Sequence, residues 1–470
     1  HPDQGGRPMT RSGGLPTEEQ KTGSSPERGT TPASMDRRAF MRHSAIAGLG
    51  VGMLGSPAIL RGRNLNDQVS VAVMGVNSRG AALAESFALS AGSDVVAICD
   101  VDSRAMERSV SAVGTHQGDI PAGLGDFRRA LDDPNVDALV IAAPDHWHMP
   151  AALMALKAGK HVYLEKPCSH NPREGELLVE AEAKYGLVMQ MGNQQRSAPE
   201  SVEVIGEIHQ GLIGRAYYGR AWYANTRGPI GRGRAAATPA WLDYDLWQGP
   251  APRTPFRDNV VHYNWHWFWR WGSGEVNNNG THEIDVCRWA LGVEYPNRVT
   301  SSGGRFHYDD DWEFYDTQVC SFEFQDGKYI TWEGRSCNGR PVEGRGRGVS
   351  IHGEDGTVIL DRNGYVVYDN DNKEIKRRLR SETEATMDTR GGGGLTDLHI
   401  ANFLASVRGE ESPAAPIHDG RKSQLLCHLA NIAQATGENL TLEGARLDGA
   451  SDRARAMWGR EYEPGWEPVV

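Results

Sequence analysis

The sequence lacks the marks of several large protein classes. Its six cysteines (Cys99, Cys168, Cys287, Cys320, Cys337 and Cys427) are scattered, with no C-x-x-C pair. That excludes a zinc ribbon and a small disulfide scaffold, and the mostly apolar flanks predict buried free thiols. Basic residues are in deficit, 50 against 61 acidic ones, for a net charge of −11 over 470 residues. There is no electrostatic footprint for wrapping nucleic acid. Apolar runs long enough to span a membrane are missing, apart from one mild stretch near the N-terminus, so a polytopic membrane protein is excluded. The pairs His146/His148 and His262/His266 have no carboxylate or cysteine completing a set at ligand spacing, and no metal is expected. Glycine, by contrast, is plentiful at 56 residues, and the length suits two or three domains.

The first sixty residues read as an address. Residues 1–34 are rich in Gly, Pro, Ser, Thr and charge without hydrophobic period, and are expected to be disordered. Residues 35–62 carry Arg37-Arg38 followed by Phe40-Met41, then a mild apolar run and small residues at Ser56-Pro57-Ala58. This resembles a twin-arginine signal, which predicts export of the folded protein by the twin-arginine translocation machinery to a periplasmic or other extracytoplasmic location. Retention of the signal as an anchor stays open. Residues 1–62 hold eight basic and five acidic side chains, so the remainder is more acidic than the whole. That balance disfavours an anionic polymer as substrate.

Residues 63–192 read as a dinucleotide-binding half. Val69–Met74 is a short β-branched run ending in Gly75-Val-Asn77-Ser78-Arg79-Gly80, and Ala81–Leu89 then carries helical periodicity. A strand, a glycine turn and a helix in that order aim helix N–H groups at a pyrophosphate. Asn77 replaces the second glycine of the fingerprint and tolerates left-handed backbone. A second strand, Asp94–Cys99, ends in Asp100, where a carboxylate would take the adenosine ribose hydroxyls and repel a 2′-phosphate. NAD is therefore favoured over NADP. Further strands are expected at 135–144 and His161–Leu164, with a helix over Ala151–Ala158 between them.

Residues 193–470 read as a substrate and oligomerisation half. Asp326-Gly327, Asp355-Gly356 and Asn363-Gly364 sit between alternating apolar residues such as Cys320, Phe322 and Phe324, and so predict three hairpins of a largely antiparallel sheet. Ile400, Phe403, Leu404 and Val407 mark an amphipathic helix, and a second follows near Leu425–Ala433. Asp309-Asp310-Asp311 reads as a solvated loop. The dense run from Tyr263 to Trp271 is either a sugar-stacking wall or a wedge buried between domains.

The strand followed by Glu165-Lys166-Pro167, ninety residues after Gly75, together with Pro144-Asp145-x-x-His148, resembles the Gfo/Idh/MocA family of sugar and polyol oxidoreductases. The resemblance spans roughly residues 68–465. It implies an α/β fold: an N-terminal Rossmann domain, then a C-terminal α+β domain with an open-faced, largely antiparallel sheet. It implies that Gly75, Asn77, Ser78, Arg79, Gly80, Asp100, Pro144, Asp145, His148, Glu165, Lys166 and Asn193 surround the cofactor. Asn277–Trp289 is similar to the family's catalytic helix, which makes His282 the acid/base and Lys166 the holder of the substrate oxygen. Asn278 stands where inositol dehydrogenases carry aspartate, and Asn278, Asp285, Trp265 and His266 are candidate substrate contacts. The resemblance also implies a homo-oligomer.

The expected activity is oxidation of a secondary hydroxyl of a sugar or glycoside by a retained nicotinamide, since an exported enzyme meets no soluble NAD pool. Two alternatives stay open. One is a redox-neutral NAD-dependent glycoside hydrolase, whose Trp-His dipeptide is similar to Trp147-His148. The other is a catalytically silent sugar-binding protein.

Overall fold

The computed structural model describes residues 68–380 and 394–470. The expected disordered leader, the signal segment and all but the last residue of the Gly391–Gly394 stretch lie outside the described residues.

β-branched and apolar runs build a six-stranded sheet whose strands, apart from the exposed edge strand 122–124, are largely buried on both faces. In chain order the elements are β1 (Val69–Met74), α1 (Arg79–Leu89), β2 (Ser93–Cys99), α2 (Ser103–Gln117), β3 (Ala122–Leu124), β4 (Ala138–Ile141), α3 (Asp145–Lys157), β5 (His161–Leu164), α4 (Pro172–Tyr185) and β6 (Met189–Met191). All pairings are parallel in the order β3-β2-β1-β4-β5-β6. The strand order reverses between β1 and β4, and the crevice at the carboxyl ends of such a sheet is where ligands bind.

The helix expected at Ala151 begins six residues earlier, at Asp145. Pro150 hid this start. Its missing N–H leaves the His146 carbonyl without its helical donor, and the Arg460 guanidinium supplies one at 2.7 Å. A distant residue thus lets the helix run through the proline.

The rest of the chain adds α5 (Pro199–His209), β7 (Ala216–Ala224), α6 (Thr281–Leu291), β8 (Arg298–Gly304), β9 (Thr317–Phe324), β10 (Lys328–Arg335), β11 (Arg347–Gly353), β12 (Gly356–Asp361), β13 (Gly364–Asp369), β14 (Glu374–Leu379), α7 (Leu395–Val407), α8 (Ile417–Thr436), β15 (Leu440–Glu443) and β16 (Arg446–Asp448). These strands form one ten-stranded sheet in which only β7 and β10 run parallel. The three expected hairpins join β9 to β10, β11 to β12 and β12 to β13. Cys320, Phe322 and Phe324 point inward, against α6 and α8.

Packing does not follow the order of the chain. Ile400, Phe403 and Leu404 of α7 lie in one core with Val69, Val71 and Phe87. The Phe403 ring meets Tyr163 edge-on at 5.6 Å. The aspartate triplet is also more than a solvated loop. Only Asp309 is exposed; Asp310 accepts from the backbone N–H of Ile230 and from Arg305, and Asp311 from Gly233 N–H and Arg257. These carboxylates fold the 230–234 loop by filling its backbone donors. Five of the six thiols are buried and all are free. Among the described residues no helix is long and apolar enough to cross a membrane.

Candidate active site

A cavity of about 530 Å³ opens at the carboxyl ends of β1, β2, β4 and β5 and runs under α6. Its first wall is the glycine turn. Gly75 has φ +84°, and a Cβ there would stand 2.7 Å from the Ala143 backbone, so only glycine fits between the two strand ends. Gly80 does not line the cavity: a Cβ on it would meet the Gly75 carbonyl at 2.0 Å, so its part is to let α1 close on the turn. Ser78 caps α1 without a side-chain hydrogen bond, which leaves the positive helix end open toward the cavity. Asp100 closes the far end. Its oxygens accept from Val76 N–H at 2.6 Å and Asp102 N–H at 2.8 Å, which fixes the carboxylate while each oxygen keeps a lone pair. Burial pushes the Asp100 pKa up. A tight turn clear of side chains, an open helix N-terminus and a fixed acid fit a dinucleotide.

The second wall joins the two halves of the chain. Lys166 Nζ donates to the Asn278 carbonyl at 2.6 Å and to Asn278 Oδ1 at 3.1 Å. An ammonium has three donors, so one remains for the cavity. Glu165 beside it accepts from Arg79 Nε at 2.8 Å and Gln194 Nε2 at 3.0 Å. Asp145 accepts from Ser273 Oγ at 2.5 Å. His148 ring nitrogens lie 2.5 Å from the Pro167 carbonyl and 2.7 Å from that of Ala143, tying the two β-strand ends together. One turn of π-helix, Val276–Gly280, precedes α6, and Asn278 and His282 both face the cavity, as their four-residue spacing predicts.

Burial sets the protonation states. It pushes Lys166 down to about 8, against the raising effect of Glu165 and Asp145. It pushes Asp145 up to about 7, although Ser273 and Lys166 favour its charge. His282 is held well below the usual imidazole range by burial first, then by the charges of Arg362, Lys166 and Arg347. No hydrogen-bond or ion-pair partner for the His282 ring exists among the described residues. The site therefore holds a neutral, unoccupied imidazole next to a perturbed ammonium, a pairing suited to proton transfer at an alcohol.

The aromatic run divides between its two expected roles. Tyr263, Trp265 and His266 line the cavity. Trp267 stacks on Trp312 at 3.9 Å, Trp269 packs on Phe314, and Trp271 packs behind the cavity-lining Trp247; none of the three lines the cavity itself.

Two candidate residues besides Gly80 do not line the cavity. Asp285 is one turn beyond His282, on the face of α6 turned to α8; it pairs with Arg196 at 2.7 Å and accepts from Ser423 at 2.6 Å. Its carboxylate neutralises buried arginines and does not reach the cavity. Asn193 is buried beside the cavity with both side-chain polar atoms unpaired, and its neighbour Gln194 lines the wall in its place. Sequence reasoning missed Arg347, Tyr223, Arg227 and His262, which reach the cavity from β11, β7 and the loops. No local motif marks them, because sheet pairing brings Tyr223 and Arg347 there and loop packing brings Arg227 and His262.

Residues 69–193 match the model of an oxidoreductase family's NAD-binding Rossmann fold, and residues 248–442 match that family's C-terminal alpha/beta domain. A "Glycosyl hydrolase family 109 protein" of Saccharopolyspora erythraea is 32% identical over 210 residues, 40% of this chain and 45% of that protein. An "Alpha-N-acetylgalactosaminidase" of Shewanella oneidensis is 29% identical over 160 residues, 33% of this chain and 35% of that protein. The chain thus spans less than half the length of these curated relatives. Two solved structures share the fold: an NAD binding oxidoreductase from Klebsiella pneumoniae and a levoglucosan dehydrogenase in complex with NADH. Both have a TM-score of 0.61, at 20% and 19% identity, and both cover 80% of this chain and 99% of their own.

Proposed function

Because the chain belongs to the Gfo/Idh/MocA oxidoreductase family, we propose that it oxidises a secondary hydroxyl of a sugar or glycoside, with NAD held through the turnover cycle. The observation that carries this reading is the Lys166–Asn278 contact, which brings the β5 end of the Rossmann sheet to the helix of His282 within one cavity. NAD, when bound, supplies the hydride acceptor; Ser78, Asp100 and the Gly75 turn would hold it. Lys166 directs its remaining donor at the substrate oxygen and stabilises negative charge developing there. The neutral Nε2 or Nδ1 of His282 takes the hydroxyl proton. Tyr263 and Trp265 offer flat apolar faces to a pyranose ring and keep water from it.

A second reading, redox-neutral hydrolysis of a glycoside by oxidation, elimination, hydration and reduction, draws support from the names of the curated relatives. It uses the same Lys166 and His282. Export through the twin-arginine route, loading of the cofactor before export, and pairing of open sheet faces into a homo-oligomer complete the proposal; they rest on the residues of 35–62 and on the family resemblance.

The test is direct. Protein purified under mild conditions should carry a dinucleotide that mass spectrometry identifies as NAD, and Lys166→Ala or His282→Ala should each lower turnover by about 10²-fold or more. Protein free of nucleotide would overturn the retained-cofactor reading. Release of an aryl alcohol from an aryl glycoside, without net NADH, would select hydrolysis over simple oxidation.

A further inference from the structure

The two halves of the chain are stitched together beside Asp100, the acid that closes the far end of the cavity. Residues 101–104, between β2 and the first turn of α2, meet the 241–262 stretch between β7 and α6. Ser103 N–H donates to the Trp241 carbonyl and Asp243 N–H to that of Val101, both at 3.0 Å. Side chains then close over the seam. His262 Nε2 lies 2.8 Å from Asp102 Oδ2, and a carboxylate only accepts, so the imidazole is the donor. Asp102 has no exposed surface and also takes Arg104, through Nε at 3.1 Å and Nη2 at 3.0 Å. The Arg104 guanidinium lies 3.5 Å over the Trp241 ring, which in turn stacks on the His262 imidazole at 5.6 Å. The four side chains thus form a closed cycle, two from each half. It touches the cofactor end of the cavity twice. His262 lines the cavity together with Asp100 and Val101. The backbone N–H of Asp102 is one of the two donors that fix the Asp100 carboxylate.

We propose that Asp102, Arg104, Trp241 and His262 form a clasp that holds the two halves closed over the adenosine end of the dinucleotide and slows its release. This rests on the NAD reading above and gives retention of the cofactor a structural cause. Parting the seam strips a donor from a carboxylate that has no water to replace it, so opening is costly. A cost of that kind shows chiefly in the dissociation rate.

The test follows labelled NAD leaving full-length holoenzyme during a chase with excess unlabelled NAD. His262→Ala should speed release by at least about tenfold. Arg104→Ala should speed it by less, because that guanidinium is half exposed. His262→Gln, which keeps a donor for Asp102, should recover part of the lost retention. Two truncated probes, titrated into the full chain freed of nucleotide, separate a clasp from general loosening. ADP-ribose carries the adenosine end and should bind His262→Ala at least about tenfold more weakly than wild type. Nicotinamide mononucleotide lacks that end and should bind both proteins alike. Unchanged NAD release from His262→Ala, or equal loss of affinity for the two probes, would overturn the proposal. Fast release from the wild type, made at least tenfold faster by His262→Ala, would support the clasp while sinking the retained-cofactor reading. A wild type that binds neither probe would refute the NAD reading and the clasp with it.

Discussion

Lys166 and Asp145 share one electrostatic problem. Asp145 is buried and Lys166 largely so, each favours the other's charge, and burial nevertheless brings Lys166 to about 8 and Asp145 to about 7. If Lys166 works as an ammonium, kcat/KM holds below pH 8 and falls by about tenfold per pH unit above it. Asp145 raises the Lys166 pKa, so Asp145→Asn removes that support and the alkaline limb moves to lower pH. A pH–rate profile of the two proteins checks both the position and the direction. His282, held far below neutrality, should contribute no limb above pH 6. Lys166 and His282 were marked by motifs that demand their chemistry, and the cavity contains both. Asp285 lies off the cavity because helical spacing of three from His282 also fits a residue rotated onto the buried face, where Arg196 pairs with it.

The glycine turn and α1 form a unit whose fit depends on two missing side chains. Gly80→Ala would drive a Cβ to 2.0 Å from the Gly75 carbonyl, a backbone atom that cannot swing away. The expected cost is at least about 2 kcal/mol of stability, with weaker dinucleotide binding as the turn opens. Urea denaturation and a dinucleotide titration measure the two effects. Elements of this kind are legible because local rules decide them: β1 and β5 fall where the β-branched runs predict, and all three Asx-Gly turns make hairpins. α3 was misread at its start for the complementary reason. Pro150 is a strong local stop signal, and only Arg460, some three hundred residues away, cancels it.

The molecule as a whole has its cores interleaved. Phe403, from the far end of the chain, is fully buried against Phe87 and Tyr163 of the Rossmann half. Phe403→Ala should cost about 3–5 kcal/mol. Calorimetry should show one endotherm moving down, because the two halves share that contact; two separating endotherms would show halves that melt independently. The sequence by itself determined the parallel and antiparallel sheets and the dinucleotide turn, because periodicity, turn residues and motif spacing are local. Tertiary structure alone decided which charges meet. It turned Asp285 away from the cavity and let Arg460 complete a broken helix. Those outcomes depend on distances between residues far apart in the chain, which no local pattern encodes.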